Sequence, residues 1–557
     1  MTQRSKLPAT GTTAETSSAK SVGEQIKSVL RDISLDWLVI AILIAAYVLR
    51  MWHLEIKPPH FDEGINGHFV AKMWRDGFYK YDPTNFHGPL YFYFLQLSEL
   101  IFGRGIFASR FITSIISVGC VMLMAAHRRF LGAAAVWASL ALAISVGAVF
   151  YGRYAIHESL FIFCQLLFSY GFFLYREKQT RFAVGLMSAG FFGTVTLKET
   201  FFIFFGTWLI ALFCLYIERK YIKLKAQDLE PETFIEENPE DDAEEKESEV
   251  ATPTDWLLIF SLGALGAVIF FTGAFLHQQG FWDMFAALKV WTKTGTGNSG
   301  HEKPFIYWFD LLVRYEWPAL AALVLTPILF FFVGSRRRLL CLVAFGTWLA
   351  YSIIPYKTPW LILNLLWPLL FVFGFAMEKL THLMRYRRGP FFLFYMRWPV
   401  YPILTVAILV GVDRTLRLNF IDFTNEREPY VYVQSTMQMK RVMDYISERV
   451  KTAPEDLNMK VVITVRDPWP LPWIFSLYPN LSFGKPDAGD FANAHVVFAD
   501  GSGREQLESR LHGRYYRLPF ALRDSYERGF VYLAFDKFNA VVPSDSEVFE
   551  KSGEATP

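Results

Sequence analysis

From residue 35 to residue 412 the chain alternates between long apolar runs and short polar turns. Runs long enough to cross a bilayer fall at 35–54, 109–126, 131–150, 157–175, 182–198, 200–217, 255–277, 317–334, 339–356, 360–377 and 398–412. A crossing helix needs roughly 17–25 such residues, so the pattern predicts about eleven spans. Half of the turns are basic: His127-Arg128-Arg129, Arg176 to Arg181, Glu218 to Lys225, Arg336-Arg337-Arg338 and Arg385 to Arg388. Clusters of this kind stay in the cytoplasm. The alternate turns then lie outside: the 52–108 segment, Gly152 to Glu158, Lys198-Glu199, the 278–316 segment, Tyr356 to Trp360, and everything after Asp413.

The same alternation decides Leu90 to Phe102 (LYFYFLQLSELIF). If this run crossed, every later basic turn would face outward. It is also short for a span and carries Gln96 and Glu99, so it is predicted to lie on the outer surface as an interfacial helix. Beyond about residue 425 the period changes. Tyr430–Gln434, Lys460–Val465 and Ala494–Ala499 alternate like strands, and Met437–Val450 has helical spacing, which predicts a small α/β domain. The predicted organisation is a polar cytoplasmic tail (1–34, disordered), a transmembrane domain (35–417) and an extracytoplasmic α/β domain (425–545). The transmembrane domain holds an outer catalytic loop at 52–108 and an acidic cytoplasmic loop at 226–254.

Composition agrees with a membrane protein. Of 557 residues, 53% are hydrophobic and 19% charged, too apolar a balance for a soluble enzyme of this length. A net charge of +2 with no basic face excludes nucleic acid as a partner. The four cysteines fall inside apolar runs, which argues against a disulfide framework and against a cysteine metal site.

The candidate chemistry gathers at the outer turns. Just after the first span, PHFDEGINGHF sets Asp62 and Glu63 among His60, Asn66 and His68, with His87 following. One carboxylate can take the proton of an attacking hydroxyl, and the other can orient substrate or help hold a divalent cation. Asn66 lies one helical turn from Asp62 and shares its face. Arg153, His157, Glu158, Lys198, Glu199 and Lys357 also sit at outer turns, where ionisable groups at membrane depth are functional candidates. Lys357, Lys198 and Arg153 are candidates for holding a lipid phosphate. Asp62 with Glu158 is the candidate metal pair, for Mg, Mn or Zn.

Taken together, the outer Asp62-Glu63, the turn His87-Gly88-Pro89-Leu90-Tyr91, Arg110 near the head of the next span, and the Arg153 to Glu158 turn resemble the GT-C glycosyltransferases. The likeness is to the branch of the protein O-mannosyltransferases and the lipid A aminoarabinose transferase. Within it, the sequence is most similar to a bacterial and archaeal group named for flippase-associated glycosylation, and Pro468 to Trp473 (PWPLPW) looks like that group's tail. The resemblance implies a GT-C-like polytopic α-helical fold, a polyprenyl-phosphate sugar donor, transfer outside the cytoplasmic membrane, and inversion at the anomeric carbon. It maps the catalytic acid onto Asp62 with Glu63 beside it, and the donor site onto Arg153, Glu158, Lys198 and Lys357. The sequence departs from it at Gly88, where many relatives have proline, and at Glu158, where aspartate is usual. The acceptor stays open between lipid, glycan and protein. A lipid or glycolipid transporter and a non-catalytic assembly protein are the alternatives, separated from the first reading by a donor-turnover assay.

Overall fold

The structure, a computed structural model, describes residues 36–85, 87–222, 250–297, 300–385, 391–523 and 528–551. The 1–34 tail, most of the 226–254 loop and Tyr386 to Arg388 of the last basic cluster lie outside the described residues.

A helical membrane bundle carries a small C-terminal sheet domain, as the pattern predicted. Among the described residues six helices are long and apolar enough to cross a bilayer: Ile106–Leu131, Glu158–Lys178, Phe201–Ile222, Pro253–Phe271, Pro359–Met384 and Trp398–Phe420. Shorter apolar helices at Trp37–Met51, Leu90–Phe102, Arg181–Val195 and Trp317–Phe332 stand with them. The chain is thus a multi-pass membrane protein. Its centre closes through small residues. Ala134, Ala135 and Ala138 are fully buried, and a Cβ on Gly374 would stand 2.1 Å from the Ala134 carbonyl. Close backbone approach of this kind substitutes for the hydrophobic drive that lipid removes.

The 131–150 run, expected as one span, is broken. Ala133–Ile144 and Val146–Gly152 meet at 59°. The cause is Ser145, whose hydroxyl accepts the Ala148 N–H (3.1 Å) and donates to Glu316 (2.9 Å). Glu316 also accepts the Gly147 N–H at 2.7 Å, so the interrupted helix finds its partners in a buried carboxylate.

At one end of the bundle the basic turns are paired off. Arg129 bonds Glu177 (3.0 Å), Arg338 bonds Glu218 (3.0 Å), and Arg337 donates to the Leu131 carbonyl (3.0 Å). The other end carries the Phe61–Asp76 helix, the Leu90–Phe102 helix and the sheet domain. Leu90–Phe102 buries Tyr91, Phe92 and Leu95 while Leu97, Leu100 and Ile101 stay exposed.

The C-terminal sheet has six strands in the order β2-β1-β3-β5-β4-β6: β1 Val461–Ile463, β2 Leu481–Phe483, β3 Val496–Asp500, β4 Gly513–Phe520, β5 Gly529–Ala534 and β6 Val548–Lys551. β1 runs parallel to β2 and β3, and the remaining pairs are antiparallel. The Met437–Thr452 helix lays Met439, Val442 and Ile446, one helical face, on this sheet. Tyr430–Gln434 is not the strand its alternation suggested. Tyr430 and Val431 are drawn into the bundle core, Tyr430 stacks on Tyr315 at 4.1 Å, and only Gln434 makes a bridge, to His60.

Candidate active site

The Phe61–Asp76 helix begins with a reciprocal cap. The His60 ring accepts the Asp62 N–H (3.1 Å), and Glu63 accepts the His60 N–H (2.8 Å). The two adjacent acids then part. Glu63 turns inward, is 1% exposed, and forms a bidentate pair with the fully buried Arg110, with both contacts at 2.7 Å. It also accepts the Ala155 N–H at 2.8 Å. Burial alone would raise its pKa, but Arg110 and these N–H groups hold it below the ordinary glutamate value. Arg110 continues to the Leu54, Lys57 and Pro58 carbonyls at 2.9–3.0 Å, so the pair fastens the outer turn to the bundle.

Asp62 faces a cavity of about 390 Å³. Asn66, His87, His157, Glu158, Lys198 and Glu199 line the same space, and Ile203, Ile354 and Leu361 give it an apolar side. The turns that carry these groups are bonded to one another. Gly88 donates its N–H to the Leu197 carbonyl (2.9 Å), and Leu90 donates to Thr196 (3.1 Å). A Cβ on Gly88 would meet the Thr196 carbonyl oxygen at 2.2 Å. Proline, with neither the N–H nor the room, does not fit here, which accounts for the departure at this position. The joined turns bring His87 to Glu199 (3.1 Å) and Lys198 to Glu158 (2.6 Å). Asn66 donates to the Ala155 carbonyl at 2.9 Å.

Burial raises the Asp62 pKa above its ordinary value, and Glu158 adds to the effect, while His60, His87 and Lys198 oppose it. Burial would depress the Lys198 ammonium, yet Glu158, Glu199 and Asp62 outweigh it and hold its proton more firmly than usual. His157 is pushed well below the ordinary histidine value by burial, with His87 and Lys198 adding, so it is neutral. Its Nε2 is buried without a hydrogen-bond partner among the described residues, as is the Thr358 hydroxyl on the same cavity. The Asn85 amide nitrogen and the Thr200 hydroxyl, also in the lining, are unmet as well, and such atoms mark a place where a polar ligand is expected.

Four of the expected site residues are not brought to the cavity. Glu63 is consumed by Arg110, and His60 caps the helix and bonds the Tyr432 carbonyl at 2.8 Å. Arg153 is fully buried, with its guanidinium spent on the Leu49, Arg50, Trp52 and His53 carbonyls at 2.7–3.2 Å. Lys357 folds back onto the Lys303 (3.1 Å) and Ile354 (2.5 Å) carbonyls. The candidate metal pair does share the cavity, but Lys198 already occupies Glu158. Among the described residues no group of three or more His, Cys, Asp or Glu side chains is arranged to hold an ion. The positive charge at this point of the cavity is the Lys198 ammonium. Other lining residues were outside the expected site set: Trp291 and His301 from the 278–316 segment, Tyr356 and Trp360, and Asp467 from the sheet domain.

The fold has close counterparts. ArnT from Cupriavidus metallidurans bound to undecaprenyl phosphate aligns with TM-score 0.54 over 89% of this chain and 97% of that one, at 13% identity. Its apo state aligns with TM-score 0.53 over 92% and 98%, also at 13% identity. This is a GT-C glycosyltransferase fold. A weaker match, to the Archaeoglobus fulgidus oligosaccharyltransferase in complex with Zn and sulfate, has TM-score 0.44 and 12% identity over 92% of this chain and 74% of that one. No family model matches the sequence, and no curated protein matches it. Within this fold, the cavity lies where the turns carrying Asp62, His87, Glu158 and Lys198 converge with Asp467 of the sheet domain.

Proposed function

We propose that the protein is a membrane glycosyltransferase that moves a sugar from a polyprenyl-phosphate donor to a lipid, glycan or protein acceptor. The observation that carries this reading is the cavity itself: a raised-pKa carboxylate, Asp62, shares one partly apolar hollow with a fixed ammonium, Lys198. The undecaprenyl phosphate bound to ArnT, the protein of similar fold, supports the donor class.

The acceptor hydroxyl attacks the anomeric carbon as its proton passes to Asp62. The bond from that carbon to the phosphate oxygen breaks with inversion, and polyprenyl phosphate leaves with the electron pair. A carboxylate whose pKa is lifted by burial is a better base for this step. Lys198 offsets the negative charge of the leaving phosphate, and His157 Nε2 and the Thr358 hydroxyl are unmet polar atoms that a phosphate would satisfy. The isoprenoid chain runs along Ile203, Ile354 and Leu361. With the basic turns in the cytoplasm, the cavity and sheet domain face the outside of the cytoplasmic membrane, with residues 1–34 inside.

The test is transfer in proteoliposomes from radiolabelled undecaprenyl-phosphate sugars, with release of undecaprenyl phosphate as readout. Wild-type protein is expected to turn over donor and D62N, matched for membrane level, to be inactive. D62N turnover at the wild-type rate would refute the assignment.

A further inference from the structure

The sheet domain does more than sit above the bundle. Its Leu471–Ile474 turn is keyed into the helix that carries Asp62: a Cβ on Gly64 would come within 2.5 Å of Pro470, and one on Gly67 within 2.2 Å of the Trp473 ring nitrogen. Just before this key stands Asp467. The fully buried Arg523 donates to the Asp467 carboxylate (2.7 Å) and to its carbonyl (3.2 Å). The same guanidinium lies 4.8 Å from the ring centre of Phe61, the residue before Asp62. Asp467 therefore has a fixed position at the mouth of the cavity, and it is one of the residues that line it.

Asp467 enters the hollow from the sheet domain, whereas Lys198 enters it from the helical bundle. As an acceptor-only group the Asp467 carboxylate suits a ligand rich in hydroxyl donors. Aromatic faces line the same cavity in Trp291, Tyr356 and Trp360, and flat rings beside a fixed acceptor suit the apolar face and hydroxyl edge of a pyranose. We infer that Asp467 is a specificity-determining residue that accepts hydrogen bonds from the hydroxyls of the donor sugar, so that the sheet domain selects which sugar is transferred. This rests on the proposed polyprenyl-phosphate reading and extends it to a residue outside the membrane bundle.

The experiment measures affinities of the full-length protein in nanodiscs for three probes: undecaprenyl phosphate, undecaprenyl phosphoglucose and undecaprenyl phosphomannose. Wild type is expected to bind undecaprenyl phosphate and to bind at least one sugar-bearing form more tightly. D467N should lose that sugar-dependent gain by about tenfold while its affinity for bare undecaprenyl phosphate stays within about twofold. D467E, which keeps the charge toward Arg523 but moves it by one methylene, should alter the glucose-to-mannose ratio even if D467N disturbs docking. An unchanged sugar gain in D467N with an unchanged ratio in D467E, an equal loss for all three probes, or a wild type indifferent to the sugar would overturn the inference. Failure of wild type to bind undecaprenyl phosphate at all would instead overturn the donor reading beneath it.

Discussion

Two neighbouring charge clusters follow opposite rules. Around Glu63 and Arg110 every charged atom meets a fixed partner, and carbonyls of the 54–58 turn complete the set. Around Asp62, Glu158 is held by Lys198 and Glu199 by His87, while polar atoms of His157 and Thr358 stand unmet. Adjacent residues of one helical turn thus do different work. A saturated cluster holds the fold, and an unsaturated one leaves polar atoms open to a ligand.

The contrast breaks most sharply at Glu63. E63Q leaves Arg110 buried without its counter-charge and should cost about 3–5 kcal/mol of stability, read as a fall in the unfolding temperature of the purified protein. D62N should do the reverse: no fall in unfolding temperature, and a loss of transfer of about 10²–10⁴-fold, the usual contribution of a general base. Equal effects of the two on stability would erase the distinction. G67V forces a side chain into Trp473 and should cost about 1–3 kcal/mol, seen as faster proteolytic cleavage between the bundle and the sheet domain. K198Q should weaken undecaprenyl phosphate binding about tenfold, the scale of one charge-assisted contact, whereas K357Q, whose lysine is spent on carbonyls, should leave it within about twofold. The smallest effect is on pH. Asp62 must be ionised to act, and its pKa is raised, so transfer should fall on the acid side with a midpoint above the ordinary aspartate value of 3.8. A midpoint at or below 3.8 would remove Asp62 from the proton transfer.

Much of the bundle was legible in the sequence because lipid imposes length and apolarity on each span, and basic turns mark one side. The break at Ser145 was not legible, since it depends on Glu316, far along the chain. At the site, the outer turns could be read as a set of ionisable groups, but not which way each side chain turns. Lys357 and Lys198 look alike in sequence; one finds backbone carbonyls and the other a carboxylate. Arg153 follows a helix end, and the carbonyls that take it belong to the end of a different helix, Trp37–Met51, and to the two residues after it. His301 carried a faint signal, a histidine beside glycine and Glu302 in an outer segment. Asp467 carried none beyond its place before PWPLPW, because its relevance comes from docking.

That docking joins segments far apart in the chain. The helix bearing Asp62 leaves the ribosome well before Pro470 and Trp473, which seat against it. A nascent protein can insert its helices in order yet still lack the segment that seats beside Asp62. A chain cut short before Pro470 would therefore carry Asp62 on a helix whose packing partner is missing.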